Sequence, residues 1–327
     1  MKDPDAGKIT DVGGIRVGHF TDKHRPTGCT VLIFEQDAAA GVDVRGAGPG
    51  TRETDLLNPI NTVQKIQAIL LSGGSAYGLD AASGVVRYLA EHDRGVRVGR
   101  NIVPIVPAAI LFDLNVGEGN IHPDREAGYQ ACLAADSTFV VEGSVGAGTG
   151  ATVGKLFGMA AAMKSGIGTS SYRIPKTEIT VGAIVAVNAV GDIYRAGQII
   201  AGARKSNGHG FINSTDQILQ GHGVVLDIQS NTTIGVVATN APFGKTKLTK
   251  IAQMAQDGLA RVINPVHTPW DGDTIFAVST ATGSTKADHG AVGAIAAEVL
   301  ARAIWRAITT ATGLPGFPSF ADMHLQA

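Results

Sequence analysis

The chain has 327 residues, 44% of them hydrophobic and 17% charged, enough to fill one large core or two ordinary ones. Its 27 Lys and Arg against 28 Asp and Glu leave no basic field for nucleic acid and no polybasic run for a membrane surface. No apolar run reaches a membrane span, and Met1 to Lys8 lack the apolar stretch of a signal peptide, so a soluble, cytoplasmic protein is expected.

Glycine is the compositional outlier, at 43 residues spread between apolar segments where tight turns and close backbone packing need them. Aromatics are scarce at 5%, with Ala and Val in their place, which points to a tightly layered α/β core of small side chains. Cys29 and Cys132 are isolated, lack metal spacing and read as small buried hydrophobes.

In chain order, Thr30 to Phe34 and Ala39 to Val44 read as paired strands, and Ala68 to Leu71 as another that ends at Ser72-Gly73-Gly74-Ser75. Helical spacing of apolar residues runs from Ala81 to Glu91 and stops before Gly95. Pro104 to Phe112 is apolar but too proline-broken for a helix, while Pro123 to Ala135 has the pattern of a second amphipathic helix. Thr138 to Glu142, Glu178 to Val187 and Asp192 to Arg195 are β-like, with Asn188 to Gly191 as a turn between the last two.

Residues Gly202 to Gln229 form a polar, glycine- and histidine-bearing stretch that reads as an exposed excursion ending at Asn231-Thr232. Beyond it come a strand (Ile234 to Thr239), a helix (Lys247 to Val262), a strand (Thr274 to Thr280) and a long helix (Ala291 to Thr309). The strands of this tail are wholly apolar and need partners from the first part of the chain, so residues 1–327 are expected to form one intertwined domain.

Three patterns that carry chemistry elsewhere do not carry it here. Gly146 to Ala151 contains a loose G-x-G-x-x-A, but Gly166 to Thr169 stands where a dinucleotide site needs an acid, so no cofactor is expected. Gly154-Lys155 lacks the flanking residues of a phosphate loop. The nine histidines show no metal-binding spacing, and His267, before Thr268-Pro269-Trp270, reads as structural.

Two segments remain. Thr232-Thr233 opens an apolar strand, as threonine often does. A cut before Thr232 would also give that residue an α-amine, titrating near pH ~7.7, beside its own hydroxyl: a base and a nucleophile in one residue. Asp271-Gly272-Asp273 precedes the next strand and reads either as an Asp/Gly turn or as two carboxylates able to orient a nearby hydroxyl and amine.

The resemblance becomes specific when the motifs are taken together: Asp11-Val12-Gly13 with Val17-Gly18-His19, Gly28-Cys29-Thr30-Val31, Val42-Asp43-Val44-Arg45-Gly46, Ser72 to Ala81, and Asn231-Thr232-Thr233-Ile234. They resemble the P1/DmpA family of self-processing hydrolases (peptidase family S58), which includes L-aminopeptidase/D-esterases, β-peptidyl aminopeptidases and 6-aminohexanoate (nylon) oligomer endohydrolases. The Asn-Thr-Thr form is like the last of these.

The resemblance implies a four-layer α-β-β-α sandwich of the DmpA/ornithine acetyltransferase type, similar to the N-terminal-nucleophile (Ntn) hydrolases. It also implies a cut between Asn231 and Thr232 that gives an α chain (1–231) and a β chain (232–327), and a homo-oligomer, often a tetramer of αβ units. By similarity, Thr232 is the nucleophile, Asn188 donates its side-chain amide to the oxyanion, and Lys155, Asp271 and Asp273 position the hydroxyl and move its proton. Tyr77 and Phe112 fall at substrate-binding places, with Phe112 where relatives carry a tyrosine.

The expected activity is amide hydrolysis on small peptides or amino-acyl amides, 6-aminohexanoate oligomers included. An autoprocessed acyltransferase of the ornithine acetyltransferase type is the alternative, and a non-enzymatic binding module is a third class that predicts no cleavage.

Overall fold

A computed structural model describes residues 7–222 and 231–324. Nine strands, among the described residues, join in one hydrogen-bonded network. They are β1 (Ile15–Thr21), β2 (Gly28–Val44), β3 (Gly50–Arg52), β4 (Ile66–Ser72), β5 (Ala108–Ile110), β6 (Ile167–Arg173), β7 (Thr180–Asn188), β8 (Thr232–Thr239) and β9 (Thr274–Ser279). Their order is β6-β7-β8-β9-β2-β4-β5-β3, with β1 added along β2.

The network is two sheets that share one long strand. Residues 28–34 of β2 pair with β1 and β4, whereas residues 39–44 pair with β9, and the register shifts between Ile33 and Ala38. Thr30 to Phe34 and Ala39 to Val44 are therefore two halves of one bent strand that crosses from sheet to sheet, not a hairpin pair. Their spacing was read as two strands because the polar break Glu35-Gln36-Asp37 falls at the bend.

Strand alternation sorts the core into three layers. Leu32, Phe34, Ile69 and Leu71 of one sheet meet Ile184, Ala186, Ile234, Val236 and Phe276 of the other. On the outer face of the first sheet, Val31, Ile33, Ala68 and Leu70 pack under α1 (Ala81–Glu91) and α2 (Arg125–Leu133). On the outer face of the second, Val181, Ala183, Val185, Val237 and Ala277 pack under α3 (Lys245–Ala260) and α4 (His289–Thr309). The result is the α-β-β-α sandwich.

The helices begin where the sequence supplies caps: Asp124 accepts the Ala127 N–H at 3.0 Å, and Asp288 that of Ala291 at 2.8 Å. Glycine lets α4 approach its sheet, since a Cβ on Gly168 would lie 2.2 Å from the Ala303 carbonyl oxygen.

Two further expectations are corrected. Thr138 to Glu142 forms no ladder strand; Phe139 and Val141 lie exposed, and Gly143 alone bridges to Ile167. The turn after Asn188 does not fold Asp192–Arg195 back on β7. It sends that strand into a separate sheet with Gln198–Ala201 and Ile263–Asn264.

The excursion contains a short helix, Ser214–Leu219, with Ile218 and Leu219 exposed; its end, residues 223–230, lies outside the described residues. Both cysteines are buried and unpaired, and burial pushes the Cys132 thiol up to about 12. Among the described residues no helix is long and apolar enough to cross a membrane.

Candidate active site

Thr232 opens β8 in register with Asn188, the last residue of antiparallel β7, while β9 runs parallel on the other side. Parity decides where each threonine points. Thr232 shares the face of Ile234, Val236 and Ala238, which fill the layer between the sheets. Thr233 has the opposite parity, on the side of Val237 beneath α3 and α4, and its hydroxyl is buried without a hydrogen-bond partner among the described residues.

The Thr232 hydroxyl donates to the Asn231 carbonyl oxygen. The same oxygen accepts the Gly272 N–H at 3.0 Å, because Asn231 and Asp271 continue the parallel register of β8 and β9. Only glycine fits at position 272: a Cβ there would come within 2.9 Å of the Thr232 hydroxyl and 2.7 Å of the Gly48 carbonyl oxygen.

Asn188 is fully buried and held by its oxygen. Its Oδ1 accepts the Thr152 N–H at 3.0 Å and Lys155 Nζ at 2.9 Å, which fixes the orientation of the amide, and its Nδ2 donates to the Phe112 carbonyl at 2.9 Å. Phe112 thus enters the cluster through its backbone. Lys155 Nζ also donates to the Asn188 carbonyl at 2.8 Å, beside the start of β8.

Burial pushes the Lys155 amine down to about 7, against the opposing pull of Asp271, Asp273 and Asp113. Burial raises the Asp271 carboxyl to about 6, and the charge of Asp273 adds to the rise. A base and an acid poised near neutrality therefore stand together. Lys164 is also buried and pushed down to about 7, but its ammonium hydrogens go to the carbonyls of Gly148, Ala151 and Ser165. It pins the Gly146–Gly148 turn and offers the site nothing.

The acid pair is held from its own loop and from β8. Asp271 Oδ2 accepts the Thr268 N–H at 2.8 Å and the Thr268 hydroxyl at 2.7 Å. Asp273 accepts the Thr233 N–H at 2.7 Å on one oxygen and His267 Nδ1 at 2.8 Å on the other.

Asn188, Lys155, Asn231, Thr232, Asp271 and Asp273 are thus brought together at the start of β8. Tyr77 does not join this buried cluster: it is 62% exposed, its ring stacked on His122 at 4.8 Å.

The sequence reading missed three contributors. The Gly272 N–H is a backbone group that carries no sequence signal. His267 was read as structural, although its place just before Thr268 and the acid pair was a pointer. Arg25 and Asp113 form a buried ion pair at 2.9 Å that fixes the Phe112 segment, with the Gly74 N–H and the Thr27 hydroxyl also on Asp113. Their separation of 88 positions left no pattern to read.

A model of Peptidase family S58 matches residues 7–320. An uncharacterized aminopeptidase of Mycobacterium tuberculosis is 41% identical over 344 residues, which cover 96% of this chain and 97% of that protein. A 6-aminohexanoate-oligomer endohydrolase of Kocuria sp. is 30% identical over 317 residues, covering 92% and 84%. Among solved structures, the L-aminopeptidase D-Ala-esterase/amidase from Ochrobactrum anthropi, described as a variant of the Ntn-hydrolase fold, matches with a TM-score of 0.74. It is 19% identical and is covered to 91%, against 97% of this chain, so the fold is common to both. A Burkholderia sp. beta-aminopeptidase matches with a TM-score of 0.69 at 23% identity, covering 93% of this chain and 86% of its own. With the family model spanning nearly the whole chain, this protein belongs to peptidase family S58 and is a hydrolase of peptide or amide bonds.

Proposed function

We propose that the chain is an amide hydrolase activated by its own cleavage between Asn231 and Thr232, with Thr232 as the N-terminal nucleophile of the 232–327 β chain. One observation supports this above the others: the Thr232 hydroxyl, aimed between the sheets, rests against a carbonyl oxygen that also receives the Gly272 N–H.

In the first act the Thr232 hydroxyl attacks the Asn231 carbonyl carbon, and neutral Lys155 takes the hydroxyl proton. The Gly272 N–H stabilises the oxyanion. The C–N bond then breaks as the leaving nitrogen regains a proton, leaving an ester on the Thr232 oxygen. Water hydrolyses that ester and frees the Thr232 amine and hydroxyl.

In the second act the free amine takes the hydroxyl proton as the oxygen attacks a substrate amide, and Asn188 donates its Nδ2–H to the new oxyanion. The α-ammonium returns the proton to the leaving amine, and water releases the acyl group. Asp271 and Asp273 keep the amine and Lys155 in place and in the right charge state. These steps use side chains, backbone and water alone.

The substrates proposed are small peptides and amino-acyl amides, with 6-aminohexanoate oligomers among the candidates because a relative carries that activity in its name. Identity to the mycobacterial aminopeptidase is higher, 41% against 30%, which favours amino-acyl substrates first. The same reading takes the protein as a cytoplasmic homotetramer of αβ units, which light scattering on the purified protein tests.

Intact-mass analysis of the purified protein should show fragments 1–231 and 232–327. A Thr232→Ala chain should stay whole and inactive, and its separation into the same two fragments would overturn the reading.

A further inference from the structure

Asp273 is the better-held member of the acid pair. It collects three N–H donors: Thr233 at 2.7 Å on Oδ1, and on Oδ2 both the His267 backbone N–H at 3.3 Å and His267 Nδ1 at 2.8 Å. Both donors to Asp271 come from Thr268 and fall on one oxygen. A carboxyl held by donors on both oxygens is fixed in orientation, whereas one held on a single oxygen keeps more freedom.

His267 is built for this contact. Its backbone sits at φ +54°, a left-handed conformation that non-glycine residues rarely adopt, and this conformation accompanies the meeting of its N–H and its ring with the same oxygen. Its Nε2 is buried without a hydrogen-bond partner among the described residues, so Asp273 is what holds the ring. A carboxylate facing Nδ1 requires the hydrogen on that nitrogen. Other charged groups acting on the acid pair are Lys155, from the segment after Thr152–Val153, and through it Asp113, from the segment after β5.

We propose that His267 is a positioning residue whose Nδ1–H and backbone N–H fix the orientation of the Asp273 carboxyl beside β8, leaving Asp271 as the member of the pair that exchanges the proton. This rests on the proposed role of the acid pair beside Thr232.

The test is the pH profile of kcat/KM on an amino-acyl p-nitroanilide, measured on fully cleaved protein. His267→Gly removes the ring and accepts the left-handed backbone without strain. The acid limb is set first by the Thr232 amine and, below it, by the acid pair, and in this variant the lower step should move up by about one pH unit, the size expected for losing a hydrogen bond to a charged group. His267→Asn places an amide N–H close to the Nδ1 position and tolerates the same backbone, so the wild-type profile should return. An unmoved acid limb in the glycine variant, or an asparagine variant that behaves like it, overturns the proposal.

If the glycine variant does not fold, ¹⁵N NMR of histidine-labelled wild type reads the tautomer directly. A bare Nδ1 at pH 8 overturns the proposal as well. The nucleophile is tested separately by cleavage of Thr232→Ala, so a failure of His267 leaves that reading standing.

Discussion

Asn188 and Thr232 are register partners at the end of the β7–β8 ladder, and Asn188 Oδ1 is pinned by the Thr152 N–H and Lys155 Nζ. A donor whose direction is fixed by bonds on its opposite edge costs no reorganisation when negative charge develops in front of it. Asn188→Ala should therefore lower kcat by about 10²–10³-fold with a smaller change in KM, as measured by steady-state kinetics on cleaved protein. Precursor cleavage should slow much less, because the Asn231 carbonyl oxygen is served by Gly272.

Gly272 should behave in the opposite way. In Gly272→Ala the new methyl has to displace either the Thr232 hydroxyl or the Gly48 carbonyl, which stand 2.9 and 2.7 Å from its position. Cleavage of the precursor should slow at least tenfold, read by intact mass against time. Cleavage at the wild-type rate would remove Gly272 from the first act.

The two threonines can be separated by one substitution each. Thr233→Val removes a buried hydroxyl that has no partner among the described residues, keeps the shape and preserves β propensity. It should leave the cleavage site and kcat within about threefold of wild type and leave the melting temperature equal or higher. Thr232→Val should abolish both cleavage and activity. The reverse pattern would move the nucleophile to Thr233.

Cleavage should depend on pH in a defined direction. The Lys155 amine is lowered to about 7, so below that pH it carries its proton and cannot accept one, and above it the amine is neutral. The cleavage rate of precursor released from denaturant should rise about tenfold per pH unit below 7 and level off by pH 8. Asp271, raised to about 6, must also ionise, which makes the rise steeper below that point. A rate that falls from pH 6 to 8 would exclude Lys155 as the proton acceptor.

Arg25 predicts a cost in stability. Its guanidinium and the Asp113 carboxylate are both buried, so Arg25→Leu leaves an uncompensated charge inside the molecule. The expected loss is about 3–5 kcal/mol in denaturant unfolding. Activity should fall too, since Asp113 anchors the segment whose carbonyl meets Asn188.

What the sequence showed and what it hid divide along physical lines. α1 was readable from Ala81 to Glu91 because its apolar spacing is regular and a glycine follows, α3 and α4 because each carries an apolar face at helical spacing, and β8 and β9 because they are continuous apolar runs buried on both faces. β2 was misread because a strand passing between two sheets carries a polar interruption that looks like a turn. The site side chains came from motif likeness, since Lys155, Asn188, Thr232 and Asp271 are far apart in the chain and periodicity cannot bring them together. Strand parity also separates Thr232 from Thr233, because β8 lies between two core layers and the two threonines point into different ones. Gly272 was out of reach because its contribution is a backbone hydrogen whose direction depends on the register of β9 against β8.

The position of β8 and β9 in the strand order has one more consequence. They lie between β7 and β2, so the segment that begins at Thr232 is hydrogen-bonded on both flanks to strands that precede the cut. Breaking the chain there would create a free amine without creating a free edge. The two pieces would behave as a slat locked into a frame: inseparable by dilution, recovered together through any native purification, and parted only when both ladders are melted at once. With both ladders intact, covalent continuity at this point would not be needed to hold the molecule together.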